Sequence, residues 1–498
     1  MMDDREKSDG RVLPVKLLNN AQGGAAETVE GRRPAKGNMA SETRPGLSAG
    51  QGAPSDLSRV RRVAATDREA RFTALLHHVD VDRLRVAYWA LEPKAAPGVD
   101  GVTWVEYGLD LEANLRDLHA RVHGGAYRAR PSRRVFIPKP DGRLRPLGIA
   151  ALEDKILQRA LVVVLNAIYE SDFLGFSYGF RPGRSPHNAL DALAAGIVGK
   201  KVNWVLDADF SDYFSSLDHQ WLLKFLEHRI ADKRVLRLIQ KWLAAGVIEN
   251  GSWTAFDDGV SQGASASPLL ANVYAHYVLD LWVHQWRTRH EHGDVVIVRW
   301  ADDFVVGFEY REDAERFWAE LRDRLAKFGL ELNAEKTRLI EFGRNAARDR
   351  QARGLGKPET FQFLGFTHIC GKTRKTKRFK LVRHTDSKRI RAKLHALKRE
   401  MARRMHLPVP EQGVWLASVL RGHYGYYAVP DNIEALAAFR YQIVRHWLKS
   451  LRRRSQKHRL DWERMDRLAE RWLPQPRILH PWPEQRFAAI TQGRSPVR

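Results

Sequence analysis

Three carboxylates stand where apolar runs of this chain give way to polar turns. Asp209 ends the stretch that begins at Val202, and Asp302-Asp303 separates Val295-Val296-Ile297-Val298 from Phe304-Val305-Val306-Gly307-Phe308. Carboxylates held at strand ends suit Mg²⁺, a hard cation that takes oxygen ligands and leaves room for substrate phosphates. Two such ions roughly 4 Å apart activate an attacking hydroxyl and steady the leaving oxygen of an in-line phosphoryl transfer. Strand alternation puts Asp207 and Asp209 on one face, so spacing leaves open which of them takes part. An isolated Asp-Asp is commonly a plain turn. Here the apolar flanks hold the pair near the interior, where an unpartnered carboxylate is costly. Cys370 is the single cysteine, which excludes intrachain disulfides and paired-cysteine zinc sites. His284, His290 and His292 lie among polar neighbours and read as a solvated helix end. There is no Walker-type Gly-x-x-x-x-Gly-Lys-Ser/Thr phosphate loop, so ATP hydrolysis is not suggested.

The elements that must position these acids follow from hydrophobic period. Apolar residues from Phe72 to Leu91 recur at helical spacing after Thr66 and predict a helical lead-in that Pro93, Pro97 and Gly98 stop. Arg134 to Ile149 reads as a hairpin turning at Pro140-Asp141-Gly142. Ala151 to Tyr169 predicts a helix, Val202 to Leu206 a buried strand, and His219 to His228 another helix. The runs either side of Asp302-Asp303 predict a hairpin with its tip inside residues 299–303, followed by a helix from Glu312 to Phe328. Residues 1–60 are rich in Gly, Ala, Pro and Ser and read as a mobile extension.

Charge points to a polyanionic partner. The 498 residues carry a formal net charge of +24 and are 44% hydrophobic, enough for real cores beneath the charge. Between Lys372 and Arg404 there are 15 Lys and Arg against two acids, and Arg445 to Arg459 adds seven basic residues and no acid. No run approaches the ~18 apolar residues of a spanning helix, and Val12 to Leu18 is too interrupted for a signal-peptide core. The expectation is a cytoplasmic protein of a bacterial cell, within reach of the nucleoid, that binds nucleic acid and not membrane.

The order of short motifs resembles group II intron-encoded reverse transcriptases and maturases. The resemblance runs from about Val60 onward. It rests on Val135-Phe-Ile-Pro-Lys-Pro-Asp-Gly-Arg-Leu-Arg-Pro-Leu-Gly148, Phe176-Ser-Tyr-Gly-Phe-Arg-Pro-Gly-Arg-Ser185 and Leu206-Asp-Ala-Asp-Phe-Ser-Asp-Tyr-Phe214. It continues through Ser261-Gln-Gly-Ala-Ser-Ala-Ser-Pro268, Trp300-Ala-Asp-Asp303, Leu332-Asn-Ala-Glu-Lys-Thr337 and Phe363-Leu-Gly-Phe366. It implies that Asp209, Asp302, Asp303 and the carbonyl of Phe210 hold Mg²⁺, which selects Asp209 over Asp207. It also implies that Lys139 and Arg145 grip the incoming triphosphate, and that Phe214 crowds the sugar 2′ position in favour of deoxynucleotides. By the same resemblance, Gln262 and Gly263 line the template and nucleotide, and Lys336 protonates the departing pyrophosphate. Where the family usually has Tyr before Ala-Asp-Asp, this chain has Trp300, which bears on fidelity and rate.

The fold class so implied is α+β, a right-hand polymerase whose fingers and palm carry an antiparallel sheet, followed by an α-helical thumb and maturase region. The expected divisions are the extension 1–60, a helical lead-in 61–130, fingers and palm 131–370, a basic helical region 371–455 and a short basic segment 456–498. Asp431 is the expected N-cap of a helix to Arg454 with an apolar stripe of Ala435, Leu436, Phe439, Ile443, Trp447 and Leu451. Arg452, Arg453, Arg454 and Lys457 lie past that stripe and can reach phosphates, while Tyr424, Tyr426 and Tyr427 offer stacking surfaces. The resemblance implies extension of a DNA primer on RNA with dNTPs, intron RNA binding, splicing assistance and retrohoming. The residues after Arg459 show no Cys/His-rich endonuclease module of the kind some relatives carry, and the oligomeric state is left open. Two rival readings are a non-catalytic RNA-binding splicing cofactor and a host-adopted reverse transcriptase of repair or defence. An RNA-dependent RNA polymerase is disfavoured by the bulk of Phe214.

Overall fold

A computed structural model describes residues 55–138, 144–249, 251–255, 258–290, 292–454 and 460–486. The described residues divide into two units, one of residues 55–383 with 482–486 and the other of residues 384–481. In the first unit, α1 (Ser58–Thr66) starts inside the segment read as an extension and buries Val60 and Ala64. It is followed by a 3₁₀ turn at Leu76–His78 and by α2 (Val81–Trp89), α3 (Trp104–Leu109) and α4 (Leu111–His123). The lead-in is therefore broken and not one helix from Thr66. Asp67 takes the amides of Glu69 and Ala70, and Asp232 takes those of Leu75 and Leu76, so side chains capture the backbone that a helix would need.

β1 (Ser132–Pro138) and β2 (Leu144–Ile149) form the expected hairpin, pairing from Arg133 with Ile149 to Pro138 with Leu144. Its turn, with Lys139, lies outside the described residues. α5 (Leu152–Asp172) is buried on nearly all sides, as its run of Leu, Ile, Val and Ala requires, and α1 and α2 pack against it. α6 (Pro186–Gly199) starts where Ser185 and Asn188 cap each other's backbone amides and Pro186 occupies the first turn.

β3 (Trp204–Asp209) begins two residues later than the pattern suggested and takes both Asp207 and Asp209 into the strand. α7 (His219–Glu227) and α8 (Lys233–Ala244) are capped by Asp218 and Asp232. β4 (Val247–Glu249) joins β1 in parallel, and β5 (Ser252–Thr254) completes a sheet of order β2-β1-β4-β5. α9 (Ser267–Ala275) runs through a π-helical turn at His276–Asp280 into α10 (Leu281–His290).

β6 (Val295–Trp300), β7 (Asp303–Phe308) and β8 (Arg338–Glu341) join β3 in an all-antiparallel sheet of order β6-β7-β3-β8. β6 and most of β7 are buried, which explains their predominantly apolar character. α6 packs on β6, and α11 (Arg311–Ala326) packs on β3 and β7. After α12 (Ala346–Ala352) come β9 (Phe361–Phe363), β10 (Phe366–Lys372) and β11 (Phe379–Thr385), in the order β11-β10-β9.

The second unit is helical, with α13 (Ser387–Arg403), α14 (Val409–Tyr427), α15 (Ile433–Arg452) and α16 (Trp462–Trp472). Leu436, Phe439, Ile443 and Trp447 of the expected stripe are buried. Asp431 does not cap α15. It sits in the left-handed region at φ 71°, and Asn432 occupies the cap position without a side-chain cap bond. The Asn432 side chain is committed elsewhere, accepting from the Thr385 amide and donating to the Tyr427 carbonyl.

Candidate active site

The site forms where β3 meets the β6–β7 hairpin. Asp209 pairs with Asp303, and the Phe210 amide donates to the Asp302 carbonyl at 3.3 Å one residue further on. That bond pattern makes Asp209 and Asp303 a non-hydrogen-bonded antiparallel pair, the class whose Cα atoms approach to about 4.5 Å with side chains on one face. Like charges directly opposed in this way repel and call for a cation. Asp302 stands at the two-residue tip. Burial, then the charge of Asp209, pushes its carboxyl up to about 6, while Arg145 and Lys336 act to lower it.

Asp207, one alternation earlier, is taken by other partners. Its carboxylate lies 3.6 Å from Arg338 and accepts from the Gln362 amide, and burial raises it to about 6. Register therefore separates the two acids that spacing left equivalent.

The tip is held in a tense backbone. Ala301 adopts φ 57°, a left-handed conformation that costs a non-glycine residue roughly 1–2 kcal/mol and that two-residue hairpins require at their first position. The segment after Phe176 runs beside it: Arg299 donates to the Phe176 carbonyl and Tyr178 to the Arg299 carbonyl, each at 2.9 Å. A Cβ on Gly179 would lie 2.4 Å from the Ala301 amide nitrogen, so only glycine lets this segment approach the turn. Trp300 is buried, and its indole N–H has no hydrogen-bond partner among the described residues.

Leu332 to Thr337 closes the other side. The Asn333 amide donates to the Asp209 carbonyl at 2.8 Å and Ser211 donates to the Glu331 carbonyl, so Phe210 and Leu332 are again a non-hydrogen-bonded pair. The Phe210 carbonyl is thus not consumed by that ladder. Its ring is buried and stacks on Tyr213 at 4.8 Å. The Asn333 side chain accepts from the amides of Glu335 and Lys336, forming a turn that brings the Lys336 ammonium onto the Asp209 carboxylate.

Arg145, on β2, is half-buried and near enough to Asp302 for its charge to matter. β2 is seated on the loop before α9: the Gly148 amide donates to the Gln262 carbonyl at 2.7 Å, and Gly263, at φ 120°, leaves a Cβ only 2.5 Å from the Gly148 carbonyl. Gln262 and Gly263 are thereby joined to the strand that carries Arg145. Phe214 packs against the core beside Tyr213 and meets Phe180 edge-on at 6.3 Å. Among the described residues no three acidic, histidine or cysteine side chains close into a ready metal cage. Asp209 and Asp303, opposed on one face of the sheet, suit Mg²⁺, which takes one or two protein carboxylates and fills its other positions with waters and phosphates.

In the helical unit Arg452, Arg453 and Arg454 are exposed, and the Arg452 guanidinium donates to the Leu460 carbonyl at 2.8 Å. Lys457 lies outside the described residues. Tyr424 and Tyr427 are 3% and 7% exposed, so they belong to the core of this unit and are not stacking surfaces. Tyr426 is half-buried against Tyr427.

Sequence reasoning passed over Arg299, Asp280 and Asn272, which lie fully or almost fully buried beneath the turn. The available signal was a single arginine at the end of Val295-Val296-Ile297-Val298, since a charge in a buried strand demands a partner.

The family described as "Reverse transcriptase (RNA-dependent DNA polymerase)" matches residues 137–368. Protein YkfC of Escherichia coli K12 is 34% identical over 311 residues, covering 55% of this chain and 81% of that protein. The group II intron-encoded protein LtrA of Lactococcus lactis is 32% identical over 235 residues, covering 47% of this chain but only 39% of its own length. A nuclear intron maturase of Arabidopsis thaliana is 29% identical over 91 residues, or 18% of this chain and 12% of that protein.

Proposed function

Since the chain belongs to the group II intron reverse transcriptase and maturase family, we propose that it extends a DNA primer on an RNA template with dNTPs. The observation that carries this reading is the opposed pair Asp209 and Asp303 with Asp302 at the adjoining tip. Asp209, Asp302, Asp303 and the Phe210 carbonyl hold Mg²⁺. Bound Mg²⁺ supplies activation of the primer 3′-hydroxyl and charge neutralisation at the leaving pyrophosphate. Arg145 and Lys139 bind the triphosphate, with charge-assisted bonds to its oxygens. Phe214 excludes a 2′-hydroxyl, and Gln262 and Gly263 seat the templating pair. Lys336 neutralises Asp209 before substrate binds and delivers a proton to pyrophosphate.

In this reading the β3-β6-β7-β8 sheet is the palm, the β1–β2 hairpin belongs to the fingers, and the helical unit is the thumb and maturase region. The basic surface of that unit, including Arg452, Arg453, Arg454 and Lys457, binds intron RNA, assists splicing and supports retrohoming. Its support is the eight Lys and Arg against two acids over residues 384–404, together with the seven basic residues and no acid from Arg445 to Arg459.

The test is extension of oligo-dT on poly-rA with dTTP and Mg²⁺. Wild type extends, and Asp302→Ala loses roughly 10³-fold in rate, equivalent to about 4 kcal/mol of transition-state stabilisation. A folded wild type that binds structured RNA but does not extend would replace this reading with that of a splicing cofactor.

A further inference from the structure

Arg299 is fully buried, and every one of its five guanidinium donors is engaged. Nε and Nη2 donate to the two Asp280 oxygens at 2.8 and 2.6 Å, and Nη2 also donates to the Ser177 hydroxyl at 2.7 Å. Nη1 donates to the Asn272 side-chain oxygen at 3.1 Å and to the Ala301 carbonyl at 3.0 Å. Asn272 in turn donates to the Gly179 carbonyl at 2.7 Å, and Gly179 abuts the Ala301 amide. One side chain thus ties α9, the π-helical turn and the segment after Phe176 to the backbone of the residue preceding Asp302.

We propose that Arg299, locked by Asp280 and Asn272, is a positioning residue that holds the left-handed Ala301 turn so that Asp302 meets the cation in register with Asp209 and Asp303. This rests on the polymerase reading above. Three features favour positioning over plain packing. A buried ion pair is rarely superior to apolar packing for stability alone. The bonds do not stay within the pair but end on Ala301, whose backbone persists in a conformation that needs outside support. The π-helical turn also adds a residue to the helix next to the site and sets the rotation at which Asp280 meets Arg299, as such turns often do at functional sites.

A residue that only packs affects folding, whereas one that sets the acids affects turnover and ion affinity. The test uses the full chain and three variants, Arg299→Lys, Asn272→Ala and Gly179→Ala, each checked for melting temperature and RNA affinity. Lysine keeps the charge but cannot span Asp280 and Ala301 together. For Arg299→Lys and Asn272→Ala, kcat for dTTP is expected to fall ~10- to 100-fold with KM changed less than about twofold, the scale of a misplacement near 1 Å. Mn²⁺ affinity, read by the electron paramagnetic signal of the free ion, is expected to weaken ~10-fold in the same variants. Lowered melting temperature with kcat and Mn²⁺ affinity within twofold of wild type would overturn the proposal. Should Arg299→Lys fail to fold, the neutral Asn272→Ala decides by the same readouts. A wild type that extends nothing overturns the polymerase reading, while Mn²⁺ affinity still decides whether the network sets the acids.

Discussion

At the scale of single residues, the proposed chemistry rests on carboxylates, of which Asp209 and Asp303 are directly opposed and repel one another without a cation. Burial and Asp209 raise Asp302 to about 6, so under the proposed reading proton and Mg²⁺ compete for it. The half-saturating Mg²⁺ concentration for extension is therefore expected to rise as pH falls below about 6 and to be flat above about 7. An Mg²⁺ titration at pH 5.5 and 7.5 checks this, and equal values at both would contradict it. Phe214 makes a second prediction. Its ring is braced by Tyr213 and Phe180, so Phe214→Val removes bulk without removing a partner for charge. Discrimination against ribonucleotides should drop by about 10²-fold, the range accessible to an apolar contact, with dTTP incorporation retained. The three acids were legible as residue types at strand ends. Arg299 was not read, because its partners lie 19 and 27 residues back on a helix whose turns bring them under the strand only in three dimensions.

At the scale of elements, hairpins and long helices were legible because alternation and 3.6-residue periodicity are local properties. The β1–β2 and β6–β7 hairpins and α5 appear where the pattern put them. The short strands β4, β5 and β8 were not, since three or four residues carry no readable period and their partners are distant in sequence. The helical unit supplies a stability prediction. Lys393 of α13 lies 5.6 Å from the Phe439 ring centre on α15, His423 of α14 stacks on the same ring at 3.9 Å, and the ammonium has no hydrogen-bond partner among the described residues. Burial pulls Lys393 down to about 7 from 10.5. As pH falls between those values the unfolded chain gains a proton that the folded unit refuses, so stability drops by about 1.4 kcal/mol per pH unit. Lys393→Met should melt higher than wild type at pH 7.5, with the gap narrowing towards pH 10. A variant that melts lower at pH 7.5 would refute the account.

At the scale of the whole molecule, the dominant quantity is the net charge of +24. If basic side chains contact six or more phosphates, affinity for structured RNA should fall by roughly 10³-fold or more between 50 and 200 mM salt, through release of condensed counterions. Binding isotherms at four salt concentrations give the slope directly, and a flat response would remove electrostatics from the explanation. No described helix is long and apolar enough to cross a membrane.

The amino-acid sequence alone determined which residue types are present, their order along the chain, the strongly periodic elements and the concentration of positive charge towards the C-terminal part. All of these are one-dimensional quantities, set by neighbours within a few turns or by composition. Tertiary structure decided what depends on register between distant segments. It set Asp209 against Asp303 and gave Asp207 to Arg338, although the two acids share a strand face. It turned Tyr424 and Tyr427 inward, moved the cap position of α15 from Asp431 to Asn432, and gathered Asn272, Asp280 and Ser177 around one arginine. A pairing across some 90 residues has no local periodicity to announce it, because it is selected by the packing and charge balance of the assembled sheet.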